Sequence, residues 1–182
     1  MLRRRQLLVT APTALCAWRG AVAASAAPPE LAQTLPDARL QGEGRMRFLG
    51  LRIYDIRLWA PRPVTADTWG QAPLALELAY ARTLYGSAIA ERSLDEMRRQ
   101  GEISASVAER WLGEMTRLFP DVKEGDRLTG LQQPNAEARF FYNGAFRGKV
   151  ADAAFTRRFF GIWLAPETSE PSLREQLLAG AR

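Results

Sequence analysis

The stretch Leu74-Ala75-Leu76-Glu77-Leu78-Ala79-Tyr80 decides the fold class, because it is a strand that gives way to helices within a few residues. Leu74, Leu76, Leu78 and Tyr80 point one way, and Ala75, Glu77 and Ala79 point the other. Strict alternation of this kind is the mark of a half-buried antiparallel strand. Beyond it the period changes. From Ser87 to Gln100, Ile89, Ser93 and Met97, flanked by Ala90 and Leu94, form a helical stripe that stops at Gly101.

Upstream, residues 51–60 read as a strand rich in β-branched and aromatic side chains, stopped by Pro61-Arg62-Pro63. Arg52, Tyr54, Ile56 and Leu58 share one face of it; Leu51, Ile53, Asp55, Arg57 and Trp59 share the other. Residues 38–47 are a further strand. Downstream, residues 106–118 read as a second helix, with Ser106 and Glu109 as a capping box and Pro120 as its end. Strands resume at 126–131 and 137–142, Asn143-Gly144 signals a hairpin turn, and a short strand comes next at 145–150. Asp152 caps a third helix running to Leu164, with Phe155, Phe159, Ile162 and Trp163 as its apolar stripe. A last short helix starts near Pro171. Strands and helices thus come in segregated runs, which predicts an α+β domain over residues 38–182: an antiparallel sheet with helices on one face.

Residues 1–26 read as an export signal. Arg3-Arg4-Arg5 precedes the apolar run Leu7-Leu8-Val9, and Ala21-Val22-Ala23 and Ala24-Ser25-Ala26 both suit cleavage. Arg4-Arg5-Gln6-Leu7-Leu8 has twin-arginine character. The apolar stretch is far shorter than the ~20 residues a membrane span needs, so no stable membrane anchor is expected. Residues 27–37, with Pro28-Pro29, read as a linker, and the expected location is the periplasm.

Composition excludes several chemistries. The 182 residues contain no histidine, and the one cysteine, Cys16, falls in the leader. A Ser-His-Asp triad, a Cys-His pair, a disulfide and a His/Cys metal site are therefore ruled out of the mature domain. No metal or cofactor is expected. The net charge of +5 belongs mostly to the leader, which carries four of the 25 basic residues and leaves 21 against 20 acidic ones. A near-neutral domain gives no electrostatic reason for a nucleic-acid partner. Gly42-x-Gly44 lacks the βαβ setting of a phosphate loop and reads as a strand bend.

An ordered set of segments resembles the chalcone isomerase-like family in its bacterial branch. The carriers are Gly42-Glu43-Gly44-Arg45-Met46-Arg47, the strand Arg52 to Trp59, Leu84-Tyr85-Gly86, Asp121 to Gly130, and Phe159-Phe160-Gly161-Ile162-Trp163-Leu164-Ala165-Pro166. The resemblance implies an open-faced β-sandwich, a sheet packed on helices around a lipophilic cleft. The ring-closing enzymes of that family use an arginine on an early strand, a threonine on the next, and a tyrosine and an asparagine on the following helix. Those positions fall on Arg45 or Arg47, on Tyr54, on Ile89 and on Glu96. Isoleucine cannot hydrogen-bond a substrate ketone, so the enzymatic set is incomplete. The fatty-acid-binding members use an arginine and a tyrosine for the ligand carboxylate, and Tyr54 with Arg45 or Arg47 resembles that pair. The expected function is a non-catalytic binder of a fatty acid or similar lipophilic carboxylate. An isomerase or intramolecular lyase acting on a phenolic or enone ligand, and a structural or partner-binding protein with a filled cleft, are the alternatives. The mixed-charge face of Glu91, Arg92, Asp95, Glu96, Arg98 and Arg99 is expected in solvent.

Overall fold

The computed structural model describes residues 27–181; the expected signal segment 1–26 and Cys16 lie outside the described residues. Six strands form one antiparallel sheet: β1 (Arg39–Phe48), β2 (Leu51–Ala60), β3 (Leu74–Tyr80), β4 (Arg127–Gln133), β5 (Glu137–Tyr142) and β6 (Ala145–Val150). Strand order across the sheet is the order in the chain. Helices α2 (Gly86–Arg98), α3 (Ala105–Leu118), α4 (Ala153–Leu164) and α5 (Pro171–Leu178) accompany it, after a short α1 (Pro29–Thr34). The α+β organisation expected from the sequence is the one adopted.

Alternation places the core. Ile56 and Leu58 of β2, Leu74, Leu76 and Leu78 of β3, and Phe140 of β5 are buried on one face. They pack with Met97 of α2, Met115 of α3 and Phe155, Phe159 and Phe160 of α4. Residue Asp152 starts α4 as its cap, accepting from the backbone N–H groups of Ala154 and Phe155 at 2.9 and 3.0 Å. The capping box expected at Ser106 and Glu109 is not formed: α3 starts one residue earlier, and its cap position, Ser104, makes no side-chain cap bond.

Two glycines on β1 explain how α5 fits. Gly42 and Gly44 sit opposite Leu58 and Ile56 on the inner face. A β-carbon on Gly42 would collide with the carbonyls of Gln176 and Leu177, and one on Gly44 with Leu173. The Gly-x-Gly pattern read as a strand bend is instead the seat of a helix.

The segment expected as a linker, 27–37, is corrected in part. Pro29 occupies the first turn of α1, where its missing N–H costs nothing. Leu31 and Leu35 are buried on the outer face of the sheet against Trp59, Ala75, Leu131 and Phe141. Glu30 accepts from Arg127 at 2.9 Å and from the Thr129 hydroxyl at 2.7 Å. Glu77, buried nearby on β3, accepts from the Trp59 indole N–H at 2.9 Å and lies 3.6 Å from Arg127 Nε. A buried ionic cluster thus pins α1 across the sheet.

The passage from β3 to β4 carries α2 and α3 and is clasped at its neck. Leu84 and Val122 exchange two backbone hydrogen bonds, of 3.0 and 2.9 Å. The Gly86 N–H donates to Asp121 Oδ1 at 2.8 Å. Asp126, just before β4, accepts from Asn143 Nδ2 at 3.0 Å, Tyr142 Oη at 2.9 Å and the Lys123 N–H at 2.8 Å. The Asn143 bond foremost, then those from Lys123 and Tyr142, lowers the Asp126 pKa below its ordinary 3.8, against the opposing effect of burial. A depressed carboxylate stabilises the fold above its unfolded pKa and loses that contribution as pH falls through the folded one. Glu137, bonded to Lys149 and Arg139, is lowered too. With no histidine to titrate, folding stability should stay flat across about pH 5 to 8 and fall only in acid. Urea midpoints across a pH series check this, and a midpoint that moves between pH 6 and 8 (about the histidine range) would contradict it.

Candidate functional site

Alternation in the sheet and the stripes of two helices leave a space between them of about 330 Å³. That lies in the range of small-ligand pockets, about 300–1,000 Å³. The sheet supplies its floor: Tyr54, Leu76, Leu78, Tyr80, Leu128 and Phe140. Opposite stand Ile89, Ser93 and Glu96 of α2 and Phe159, Ile162 and Trp163 of α4. Gly130 on β4 has no side chain to fill the floor; a β-carbon there would meet the rings of Phe159 and Phe160 at van der Waals contact. Phe48, Ala88 and Arg92 also line the space and are exposed, so the cavity reaches solvent beside them.

Polar groups in this apolar space are few. Tyr54 Oη accepts from the Trp163 indole N–H at 3.0 Å. Burial pushes the Tyr54 pKa up to about 12, partly opposed by the Trp163 bond. Burial likewise raises Tyr80, with Tyr54 adding to the effect. Their rings meet edge to face with centroids 5.8 Å apart. Both phenols therefore stay neutral at ordinary pH and do not act as bases. Glu96 is 7% exposed. Its Oε1 pairs with Arg92 at 2.5 Å, while Oε2 has no hydrogen bond and stands 3.6 Å from Arg99 Nε.

Of the three ligand-binding residues expected from the sequence, the structure brings only Tyr54 to the cavity. Arg45 lies opposite Asp55 on the outer face, and its Nε donates to Asp55 Oδ1 at 2.7 Å. Arg52 takes the other carboxylate oxygen. Arg47 comes after a register shift between Met46 and Arg47, and its Nη1 donates to the Gly50 carbonyl at 3.3 Å in the hairpin turn. The inward positions of β1 are Gly42, Gly44 and Met46, so the expected early-strand arginine is absent from the cavity.

The arginine at the cavity comes from α2. Arg92 and Glu96 belong to the helix face expected in solvent, yet both line the space. Their signal was present in the spacing. Glu96 stands seven residues after Ile89 and three after Ser93, on the same side of the helix as the apolar stripe. Among the described residues no group of His, Cys, Asp and Glu is placed to hold a metal ion, and no helix is long and apolar enough to cross a membrane.

The family model of chalcone isomerase-like proteins matches residues 25–179. An uncharacterized protein of Haemophilus influenzae is 31% identical over 126 residues, 69% of this chain; the chain spans 60% of that protein's length. A fatty-acid binding protein of Arabidopsis thaliana, known from its crystal structure, has the same fold at 16% identity. The TM-score is 0.62 over 80% of this chain and 88% of that one.

Proposed function

Because the chain belongs to the chalcone isomerase-like family, and because its cavity is apolar with an arginine at the mouth, we propose that it is a non-catalytic binder of a fatty acid or similar lipophilic carboxylate. The alkyl chain lies between sheet and helices. Each buried methylene contributes about 0.8 kcal/mol, so the tail supplies most of the affinity. The carboxylate stays at the mouth beside Arg92, whose fork suits it, and shares that guanidinium with Glu96. Tyr54 supplies one donor to a polar group of the ligand.

The apolar lining together with Arg92 carries this reading. The isomerase alternative has less support. Ile89 stands where the resemblance puts a catalytic tyrosine, and a Tyr54 phenol with a pKa of about 12 does not act as a base at neutral pH. The filled-cleft alternative conflicts with an unfilled volume of about 330 Å³.

Calorimetric titration with saturated fatty acids of increasing length tests the proposal. Arg92→Ala should weaken binding by about 1.5–3 kcal/mol, the worth of a hydrogen bond to a charged group, or one to two powers of ten. Glu96→Gln should act in the opposite direction, because it frees Arg92 and removes a neighbouring negative charge. No binding by the native protein, or a native-like affinity for Arg92→Ala, would defeat the carboxylate reading. The proposed site of action is the periplasm, on the strength of the basic, apolar and alanine-rich order of residues 1–26. N-terminal sequencing of the protein from that compartment should start between residues 23 and 27; an intact N-terminus on cytoplasmic protein would count against it.

A further inference from the structure

The β1–β2 hairpin ends in Phe48-Leu49-Gly50-Leu51, and its apolar side chains face solvent. Phe48 is 56% exposed, Leu49 86% and Leu51 54%. Three of the five large apolar side chains left exposed among the described residues are thus gathered on one tip. Folding leaves much of their apolar surface in water, and a cluster of this kind marks an interaction site.

The turn itself does not call for leucine. Leu49 and Gly50 have φ of 49° and 78°, the mirror-image turn that favours Asn-Gly. The same chain makes that turn with asparagine between β5 and β6, where Asn143 and Gly144 have φ of 48° and 86°. A leucine at 49 takes an unfavourable backbone region and exposes its side chain at once.

Charge surrounds the tip. Arg45, Arg47 and Arg52 stand near the tip, where Asp55 pairs with Arg45 and Arg52; the hairpin's other carboxylate, Glu43, lies further from the tip and pairs with Arg57. Arg82 comes after β3 at the adjoining edge, where the Ala81 N–H bonds the Ile53 carbonyl. Among the described residues neither Arg47 nor Arg82 forms an ion pair. The tip is also continuous with the cavity, since Phe48 lines its mouth.

We propose that this hairpin docks the protein on an anionic lipid surface, with Leu49 and Leu51 in the interfacial layer and the arginines among the phosphates. Apolar side chains ringed by basic ones are the combination that binds such a surface reversibly. Docked this way, the cavity mouth beside Phe48 faces the membrane, and a single-chain lipid passes between bilayer and cavity without crossing water. Only that transfer step rests on the binder reading; the docking does not.

Co-sedimentation with vesicles of phosphatidylglycerol mixed into phosphatidylcholine, and of phosphatidylcholine alone, tests it without added fatty acid. The native protein should bind the anionic vesicles, less so at high salt, and the neutral ones weakly. Leu49→Asn, a residue the turn accepts at position 143, should lower anionic-vesicle affinity by roughly tenfold or more, since burying a leucine is worth that much. Leu49→Asn/Leu51→Thr should lower it further. Both variants should melt like the native protein and take up fatty acid as it does. Native protein and variants are compared with the same N-terminus, so any contribution of residues 1–26 cancels. Absence of binding at low salt, equal binding by the variants, or a hairpin-dependent dimer in sedimentation velocity would overturn the proposal. Docking without fatty-acid uptake would defeat the binder reading alone; uptake without docking would defeat this one alone.

Discussion

Replacing Glu77 with alanine should cost the fold about 3–5 kcal/mol, the usual result of breaking a buried charge cluster by removing one member. Glu77 is 5% exposed at the centre of the sheet's outer face. It accepts the Trp59 indole N–H at 2.9 Å, and Arg57 and Arg127 stand 3.8 and 3.6 Å from it. Arg127 Nε is buried and makes no hydrogen bond, so Glu77 is its nearby compensating charge on that side. Without it, an indole N–H and part of a guanidinium are left dry and unpaired. Domains are stable by only about 5–15 kcal/mol, so the loss is a large share. Urea unfolding should show a lower midpoint with an unchanged slope. Glu77→Gln, which keeps an acceptor for Trp59, should lose less than Glu77→Ala. A Glu77→Ala protein within 1 kcal/mol (about a fivefold change in the folding constant) of the native one would show that the cluster contributes little.

Ile89→Trp should abolish fatty-acid binding while leaving the protein folded. Ile89 projects from α2 toward the cavity and packs on the core without being fully buried. An indole there has space to enter and apolar walls to meet. If it displaces about four methylenes of the ligand, the loss is roughly 3 kcal/mol, more than a hundredfold in affinity. The same substitution should leave the melting temperature unchanged or raised, because it fills a void. Native affinity in Ile89→Trp would place the ligand somewhere other than between sheet and helices.

The sheet was legible in the sequence because its two faces differ in kind. Leu74, Leu76 and Leu78 alternate with Ala75, Glu77 and Ala79, and burial on both sides did not blur the pattern. The hairpin turn at Asn143-Gly144 and the cap at Asp152 were legible for local reasons: each residue's own chemistry dictates its backbone. Helix α1 was not, because Pro28-Pro29 open a run too short to show a helical period. Its burial depends on partners, Trp59, Ala75 and Leu131, that lie far along the chain.

The site was half legible. Tyr54 can be placed from its neighbours Ile56 and Leu58, which must face inward. Arg45 and Arg47 failed because strand periodicity alone does not say which face of β1 is covered. That depends on α5 resting on Gly42 and Gly44, a contact of high sequence separation. Arg92 was hidden by its company: among four other charged residues on α2 it looked like one more solvated side chain.

The clasp between Leu84 and Val122 has a mechanical consequence. Three of the five ladders in the sheet join strands linked by a tight turn, β2 and β3 are joined by the loop 61–73, and only β3–β4 spans an excursion that carries two helices. Helices α2 and α3 make up that excursion, and two backbone hydrogen bonds hold its ends together. The pair is thus a flap, closed onto α4 by further bonds: Gln100 Nε2 donates to the Arg158 carbonyl at 2.7 Å, Arg158 Nη1 to the Gly101 carbonyl at 2.9 Å, and the Trp111 indole N–H to Asp152 at 2.9 Å. Swinging it outward breaks those bonds and the packing of α2 on α4 and of α3 on β6, but leaves every inter-strand ladder intact, so it is a local opening and not an unfolding of the domain. Exchange of the ligand proposed above would then be as fast as that flap moves, however slowly the sheet itself comes apart.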